Sequence, residues 1–228
     1  MHVPAPLAVA PNWLYLHGFG SGPESAKGRA LAAHFAARGQ PIERLDLRIP
    51  SLEHLRLGQM IEHVRARIGT ASDRAVVFGS SLGGLTAARV AQEDARVSAL
   101  VLLAPAFRIA ERWRERIGDE AWARWEKTGW LEVDDHATQT KARVDFGFVE
   151  EAARVDSKNG GWPDVRVPTL IVHGVHDDVV DIGLSREWAR ARRHVRLVEV
   201  DDGHELVRSI ALIERESERH LAGYLGGP

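Results

Sequence analysis

GSSLGG, residues 79–84, follows the apolar run AVVF at residues 75–78 and leads directly into LTAARVA at residues 85–91. The spacing is Gly-x-Ser-x-Gly, and it stands between a predicted strand and a predicted helix. A sharp strand-to-helix turn needs small residues on both sides of its centre, and glycines two positions before and after Ser81 provide them. We therefore expect Ser81 to be held above the edge of a sheet. The N-terminus of the following helix would favour negative charge beside it.

Apolar runs typical of strands alternate with segments typical of helices along the rest of the chain. Strands are predicted at residues 13–16, 42–47, 75–78, 98–103, 169–172 and 195–200. Helices are predicted at residues 23–38, with Ser21 and Glu24 spaced as a capping box, at 55–68, after Ser81 and at 205–224. This alternation indicates an α/β fold, with a mostly parallel sheet of about six strands and helices on both faces. Ligands of such sheets bind at the carboxyl ends of the strands.

One long segment interrupts the alternation. Residues 105–167 contain no convincing strand, two possible helices at 112–125 and 146–155, and five of the seven tryptophans. An insertion at this point would lie over the sheet edge that holds Ser81, so we expect a small helical cap within a single domain spanning residues 1–228. Its aromatic side chains either line a substrate pocket or form the core of the cap itself. Trp122, Trp125 and Trp130 are the candidate pocket residues.

A nucleophilic serine needs a base, an acid that orients the base, and donors for an oxyanion. Asp177 follows the strand at 169–172, in a loop that also carries Asp178. His204 follows the strand at 195–200, just before the last predicted helix. Three candidates at three strand ends indicate a catalytic triad more strongly than any one of them alone. Asp178 remains the alternative acid.

The composition excludes several classes of function. The net charge is −2, and no basic stripe indicates a nucleic-acid partner. The chain has no cysteine, so a disulfide, a thiolate nucleophile and a cysteine-based metal site are excluded. Its apolar runs are too short to span a membrane, and residues 1–11 lack the basic start and long apolar core of a signal peptide. We therefore expect a cytoplasmic protein.

The chain resembles an α/β-hydrolase from about residue 13 to residue 224. Four motifs carry the resemblance: LHGFG at 16–20, GSSLGG at 79–84, HGVHD at 173–177 and GH at 203–204. GSSLGG together with HGVHDDVV is similar to the mitochondrial acyl-glucuronide esterase and palmitoyl-protein thioesterase group. YLHGF followed by SGPESAK resembles small bacterial carboxylesterases. The resemblance implies the triad order Ser81, Asp177, His204, with Asp177 preferred over Asp178.

Further residues complete the expected site. The backbone N–H groups of Leu82, next to the nucleophile, and Phe19, in a glycine-rich loop, are the candidate oxyanion donors. His17 and His173 stand at strand ends and are expected to brace loops rather than to react. Lys27 and Ser25 open the first helix, where capping of that helix is the preferred role; holding the oxyanion loop or contacting a substrate headgroup are the alternatives.

We expect a serine hydrolase that cleaves carboxylic esters of small or medium acyl chains through an acyl-enzyme. Its partner would be a small-molecule ester or thioester, it needs neither cofactor nor metal, and its oligomeric state is left open. An acyl-protein thioesterase, a peptidase or an acyltransferase would use the same triad. A non-catalytic binding protein on this fold is a further alternative, which the three intact candidate residues disfavour.

Overall fold

The computed structural model describes residues 10–157 and 161–225, and a central parallel sheet organises them. Residues 1–9, on which part of the expectation about a signal peptide rests, lie outside this range. The elements are β1 (Asn12–Leu16), α1 (Ala26–Ala36), β2 (Ile42–Leu45), α2 (Leu57–Ile68), β3 (Ala75–Ser80), α3 (Leu82–Glu93), β4 (Val97–Leu103), α4 (Ile109–Thr128), β5 (Trp130–Asp135), β6 (Thr140–Asp145), α5 (Gly147–Asp156), β7 (Thr169–Gly174), α6 (Ile182–Arg190), β8 (Val195–Val200) and α7 (Ile210–His220).

The sheet has six strands within the described residues, in the order β2-β1-β3-β4-β7-β8, and all neighbouring strands are parallel. Alternate side chains of each central strand enter one of two apolar clusters. Trp13 and Phe78 pack with Phe35 of α1 on one face, where α7 also lies. On the other face, Leu14 and Val77 belong to the cluster that α2, α3 and α6 complete. Burial on both faces explains the continuous apolar runs of the sequence and confirms the predicted layered sheet.

Two helix starts differ from the sequence-based expectation. The first helix begins at Ala26, and its N-cap is Ser25, whose Oγ accepts the Gly28 N–H at 3.3 Å, rather than Ser21. The last helix begins at Ile210 instead of residue 205. Asp202 explains the delay, because its carboxylate accepts the N–H groups of Gly203 and Ser209 at 2.8 and 3.0 Å and holds the intervening residues in turns.

The segment between β4 and β7 is not purely helical, so the expectation of a helical cap without strands was wrong. It contains α4, an antiparallel hairpin of β5 and β6, and α5. Most residues of the hairpin strands are exposed or half-buried, while Val144 of β6 is fully buried, so no continuous apolar run marks these strands in the sequence. Below, "cap segment" means residues 105–167.

The hairpin is held at its tip and at its base. At the tip, the His136 N–H donates to the Gly20 carbonyl at 2.7 Å, beside the loop that follows β1. At the base, Asp145 accepts from Arg56 at 2.8 and 2.9 Å and from His54 at 2.6 Å. These contacts place the cap segment over the carboxyl ends of the strands. None of the described helices is both long and apolar enough to cross a membrane.

We predict that Gly83→Ala lowers the melting temperature. A Cβ at Gly83 would overlap the carbonyl oxygen of Leu16, which is backbone and cannot move aside. Overpacking of this kind costs about 1–3 kcal/mol, more than the helix propensity that alanine gains. At about 2–4 °C per kcal/mol for a domain of this size, thermal denaturation resolves the loss.

Gly58→Ala, in the first turn of α2, is the matched control. A Cβ there meets only the end of the flexible Glu151 side chain at 2.9 Å, so the melting temperature should stay the same or rise slightly. Equal melting temperatures for both variants would contradict the prediction.

Candidate active site

Ser81 occupies a strained turn between β3 and α3. Its φ of 54° and ψ of −115° are unusual for a residue with a side chain. The turn is fixed from both sides, because the Ser81 N–H donates to the Leu103 carbonyl at 2.9 Å and the Ser81 carbonyl accepts the Ala106 N–H at 3.0 Å. Gly79 has no room for a side chain, since a Cβ there would overlap the carbonyl of Gly83. The Gly-x-Ser-x-Gly spacing therefore follows from the packing of this turn.

Ser81, His204 and Asp177 form one continuous hydrogen-bonded chain. The Ser81 hydroxyl lies 3.1 Å from His204 Nε2, and His204 Nδ1 lies 2.8 Å from Asp177 Oδ2. A carboxylate only accepts hydrogen bonds, so Nδ1 carries the proton and Nε2 is free to accept from Ser81. The three side chains come from the turns that follow β3, β7 and β8, at the same edge of the sheet.

Asp177 is a fully buried carboxylate whose two oxygens accept four hydrogen bonds. Oδ1 accepts the N–H groups of Val179 and Val180 at 2.9 and 2.7 Å. Oδ2 accepts from His204 and, at 3.0 Å, from Nε2 of His173. Burial by itself would raise the pKa of Asp177, but the hydrogen bonds from His173, His204 and Val180 outweigh it and hold the pKa well below its usual range. The carboxylate is therefore charged at neutral pH.

His173 braces the loop that carries Asp177, as expected from its place at a strand end. Its ring is fully buried, and Nδ1 lies 2.8 Å from the Ser185 hydroxyl in α6. With Nδ1 accepting from that hydroxyl, Nε2–H donates to Asp177 and to the Val180 carbonyl, each at 3.0 Å. The sequence does not single out Ser185, because Ser185 lies 12 residues after His173 and belongs to none of the motifs.

His17 orients the loop after β1 in a similar way. Its Nε2 accepts the Leu47 N–H at 2.9 Å, so its Nδ1–H donates to the Gly18 carbonyl at 2.8 Å. A trans peptide directs its C=O and N–H to opposite sides, so this contact turns the Phe19 N–H away from His17. Gly18 lies against Ser81, since a Cβ on it would come within 3.3 Å of Ser81 Cβ.

The two candidate oxyanion donors lie on either side of Ser81. Phe19 and Leu82 both line a cavity that includes Ser81. Among the described residues, no backbone carbonyl accepts the N–H of either one. Lys27, also considered for substrate contact, instead donates to the Glu205 carbonyl at 2.9 Å and so ties the start of α1 to the residue after His204. Burial lowers the pKa of Lys27 despite the nearby Glu205.

Two cavities meet at Ser81. The smaller has a volume of about 80 Å³ and is mostly apolar, with walls from Phe107, Ile109, Trp113 and Val180. The larger is a cleft of about 600 Å³ that runs between the β1 loop, the hairpin and the turn of His204. Ser81 therefore borders both cavities.

The candidate pocket tryptophans lie elsewhere. Trp125 is fully buried in the core, where its Nε1–H donates to the Val144 carbonyl at 3.0 Å. Trp122 packs on Trp125 and lines a different cavity. Trp130 lies beneath Arg143, whose Cζ is 4.1 Å from the centre of the Trp130 ring. Trp113 is the tryptophan that lines both cavities at Ser81. Gly118 breaks the helical geometry of α4, so Trp113 and the later tryptophans do not share one regular helix face.

Solved structures share this architecture. Alpha/beta hydrolase domain-containing protein 10 from mouse aligns with a TM-score of 0.77 and 18% identity over 94% of this chain and 90% of that chain. Est1E from Butyrivibrio proteoclasticus, solved with ferulic acid bound, aligns with a TM-score of 0.74 and 20% identity, over 93% of this chain and 88% of that chain. The esterase domain of a Rhodothermus marinus protein aligns with a TM-score of 0.65 and 21% identity, over 97% of this chain and 91% of that chain. The fold is therefore that of the α/β-hydrolases, as the sequence motifs predicted.

The model of the family described as "Uncharacterised protein family (UPF0227)" matches residues 12–216, and the chain belongs to this family. No curated protein matches the chain significantly.

We predict that the stabilising effect of Asp177 depends on pH. The pKa of Asp177 is lower in the folded protein than the value of about 3.9 expected when unfolded. The carboxylate therefore stabilises the fold fully above that value, and its contribution is lost as the pH falls toward the folded-state pKa. The free energy of unfolding of Asp177→Asn should fall below that of the wild type at pH 7, and the gap should narrow below about pH 4.

Urea denaturation between pH 7 and pH 3 measures this gap. Asp178→Asn is the control, because Asp178 is the exposed neighbour of Asp177 and its variant should match the wild type throughout. A gap of equal size at pH 3 and pH 7 would rule out the proposed linkage.

Proposed function

We propose that the chain is a serine hydrolase that cleaves carboxylic esters of small or medium acyl groups. The observation that carries the proposal is the unbroken chain from Ser81 through His204 to the buried Asp177, at the junction of two cavities. The α/β-hydrolase fold of the chain agrees with it, and the esterases among the structural neighbours use that fold. The small volume of the apolar cavity favours short acyl groups.

The proposed reaction begins at Ser81. Its oxygen attacks the ester carbonyl carbon while its proton passes to His204 Nε2. Asp177 keeps the imidazole in the required tautomer and stabilises the imidazolium that forms. The tetrahedral oxyanion would accept hydrogen bonds from the N–H groups of Phe19 and Leu82.

Collapse of the intermediate breaks the bond to the leaving oxygen, which takes the proton from His204. This leaves an acyl-enzyme on Ser81 and a free alcohol. Water then gives its proton to His204, attacks the acyl carbon, and releases the carboxylic acid as Ser81 is protonated again. No step requires a cofactor.

A series of p-nitrophenyl esters from acetate to palmitate tests the proposal, with the matching acyl-CoA thioesters run in parallel. We expect kcat/KM to peak at short or medium chains. Ser81→Ala should reduce kcat by about 10⁶-fold, since the nucleophile is lost. Ser72→Ala, at an exposed turn, is the control and should keep full activity.

Other results would change the assignment. A preference for long chains or thioesters would favour an acyl-protein thioesterase. If Ser81→Ala had no effect on any turnover and a fluorophosphonate did not label Ser81, the hydrolase proposal would be wrong and a binding protein favoured.

We further predict that Asp177, and not Asp178, is the acid. Asp177→Asn should lower kcat by about 10⁴-fold with little change in KM, because an amide no longer fixes the His204 tautomer. Asp178→Asn should change kcat less than about twofold, since the exposed carboxylate is remote from the imidazole. Steady-state kinetics on the best ester of the series decides between them, and an equal loss in both variants would contradict the assignment.

A further inference from the structure

Two arginines of α4 face the site at Ser81. Arg112 lines the smaller cavity together with Ser81 and Trp113. Arg116, one helical turn further on, lines both the smaller cavity and the larger cleft. Two arginines thus line the smaller cavity together with Ser81, and the other residues of its wall are mostly apolar.

Neither arginine forms a salt bridge within the part of the chain that the structure describes. Elsewhere on α4, Arg108 pairs with Glu111, and Arg114 pairs with Asp119 at 2.9 Å. Within residues 10–157 and 161–225, Arg112 and Arg116 form no ion pair. The Nε–H of Arg112 is also buried and donates to no acceptor there. The protein therefore leaves part of the hydrogen-bonding capacity of the Arg112 guanidinium unused.

Three carboxylates line the larger cleft, and a lysine lies near each of them. Asp134 and Glu132 lie 2.7 and 4.0 Å from Lys141, and Glu205 lies 3.3 Å from Lys27. The charged residues that line the smaller cavity are Arg112 and Arg116, so the charge of its wall is positive. This is the arrangement that an anionic ligand would complete.

We propose that the substrate carries an anionic group, a carboxylate or a phosphate, which Arg112 and Arg116 bind while its ester group lies at Ser81. The planar guanidinium fork matches both anions and gives short, charge-assisted hydrogen bonds. The apolar walls then receive the carbon chain between the anion and the ester. This inference names the substrate class for the proposed esterase and rests on that function.

The anion has two possible sources, and paired substrates distinguish them. For a carboxylate on the acyl side, mono-p-nitrophenyl adipate is compared with its methyl ester, which has the same chain without the charge. For phosphates on the leaving group, butyryl-CoA is compared with S-butyryl-N-acetylcysteamine. The quantity measured is the ratio of kcat/KM for the anionic and the neutral member of each pair.

In one of the two pairs we expect this ratio to exceed about 10 in the wild type, in line with a charge-assisted hydrogen bond. It should fall toward 1 in Arg112→Met and in Arg116→Met, and it should decrease with added salt. Arg114→Met is the matched control, because Arg114 lies on the same helix away from Ser81 and should keep the wild-type ratio. Fluorophosphonate labelling of Ser81 and the melting temperature show that each variant is folded.

Ratios near 1 for both pairs in the wild type would overturn the inference, as would ratios unchanged in both arginine variants. In either case, Ser81-dependent turnover of the neutral esters would leave the proposed esterase standing. If no ester were turned over, calorimetric binding of monomethyl adipate to Ser81→Ala, and its loss on adding Arg112→Met, would test the arginines separately. If monomethyl adipate did not bind to Ser81→Ala in that experiment, the inference would be overturned.

Discussion

The close packing of the β3–α3 turn against the end of β1 is the constraint on which the site depends. Gly83 lies so near the carbonyls of Leu16 and His17 that no side chain fits between them. Gly18 also lies close to Ser81, since a Cβ on it would come within 3.3 Å of Ser81 Cβ. The contact sets the positions of the candidate nucleophile and of the Phe19 N–H together, since the two loops cannot shift independently. The positive φ of Ser81 costs about 1–3 kcal/mol, which the hydrogen bonds to its carbonyl and N–H offset.

The second constraint is the solvation of Asp177 by the protein itself. An ion taken out of water loses several kcal/mol of hydration, so a buried carboxylate persists only where hydrogen bonds replace that water. The four donors around Asp177 do this, and they also fix its direction. A single hydrogen bond to Asp177 orients the His204 imidazole. The orientation of that ring therefore depends on the turn after β7 and on His173, which also donates to Asp177.

The sequence predicted the parts of the molecule that local constraints determine. The strands of the parallel sheet are continuous apolar runs because both faces are buried, and Ser81, Asp177 and His204 each follow such a run directly. The delayed start of α7 was missed, because the side chain of Asp202 holds the preceding turns, and a helical pattern alone does not reveal that contact. The hairpin of the cap segment was also missed, because polar residues outnumber apolar ones in its strands and no continuous apolar run marks them.

The pocket residues were harder to predict for a related reason. Trp122, Trp125 and Trp130 look alike in the sequence, but their positions depend on the break in α4 and on contacts with residues far along the chain. Arg112 and Arg116 stand among alternating charges at residues 111–116, a pattern typical of a solvated helix face. Their place in the wall of the smaller cavity distinguishes them from Arg114, which pairs with Asp119. Cavity-lining residues on an insertion are therefore less visible to sequence reasoning than candidate residues at strand ends.

A buried ion pair nevertheless links the cap segment to α3, the helix that follows Ser81. Arg89, fully buried in α3, pairs with Asp156 at the end of α5 at 2.9 Å. Burial raises the pKa of Asp156, and Arg89 opposes this effect. Loss of one partner would leave a buried charge unpaired, which is strongly destabilising, so the pair resists separation of α5 from α3. Since α3 begins directly after Ser81 and α4 packs with α5, the arginines of α4 are positioned relative to Ser81 through the same helix that forms its turn. Substitutions on the cavity-facing side of α4 can thus change the shape and charge of the cavities at Ser81 while the hydrogen-bonded chain to Asp177 stays intact.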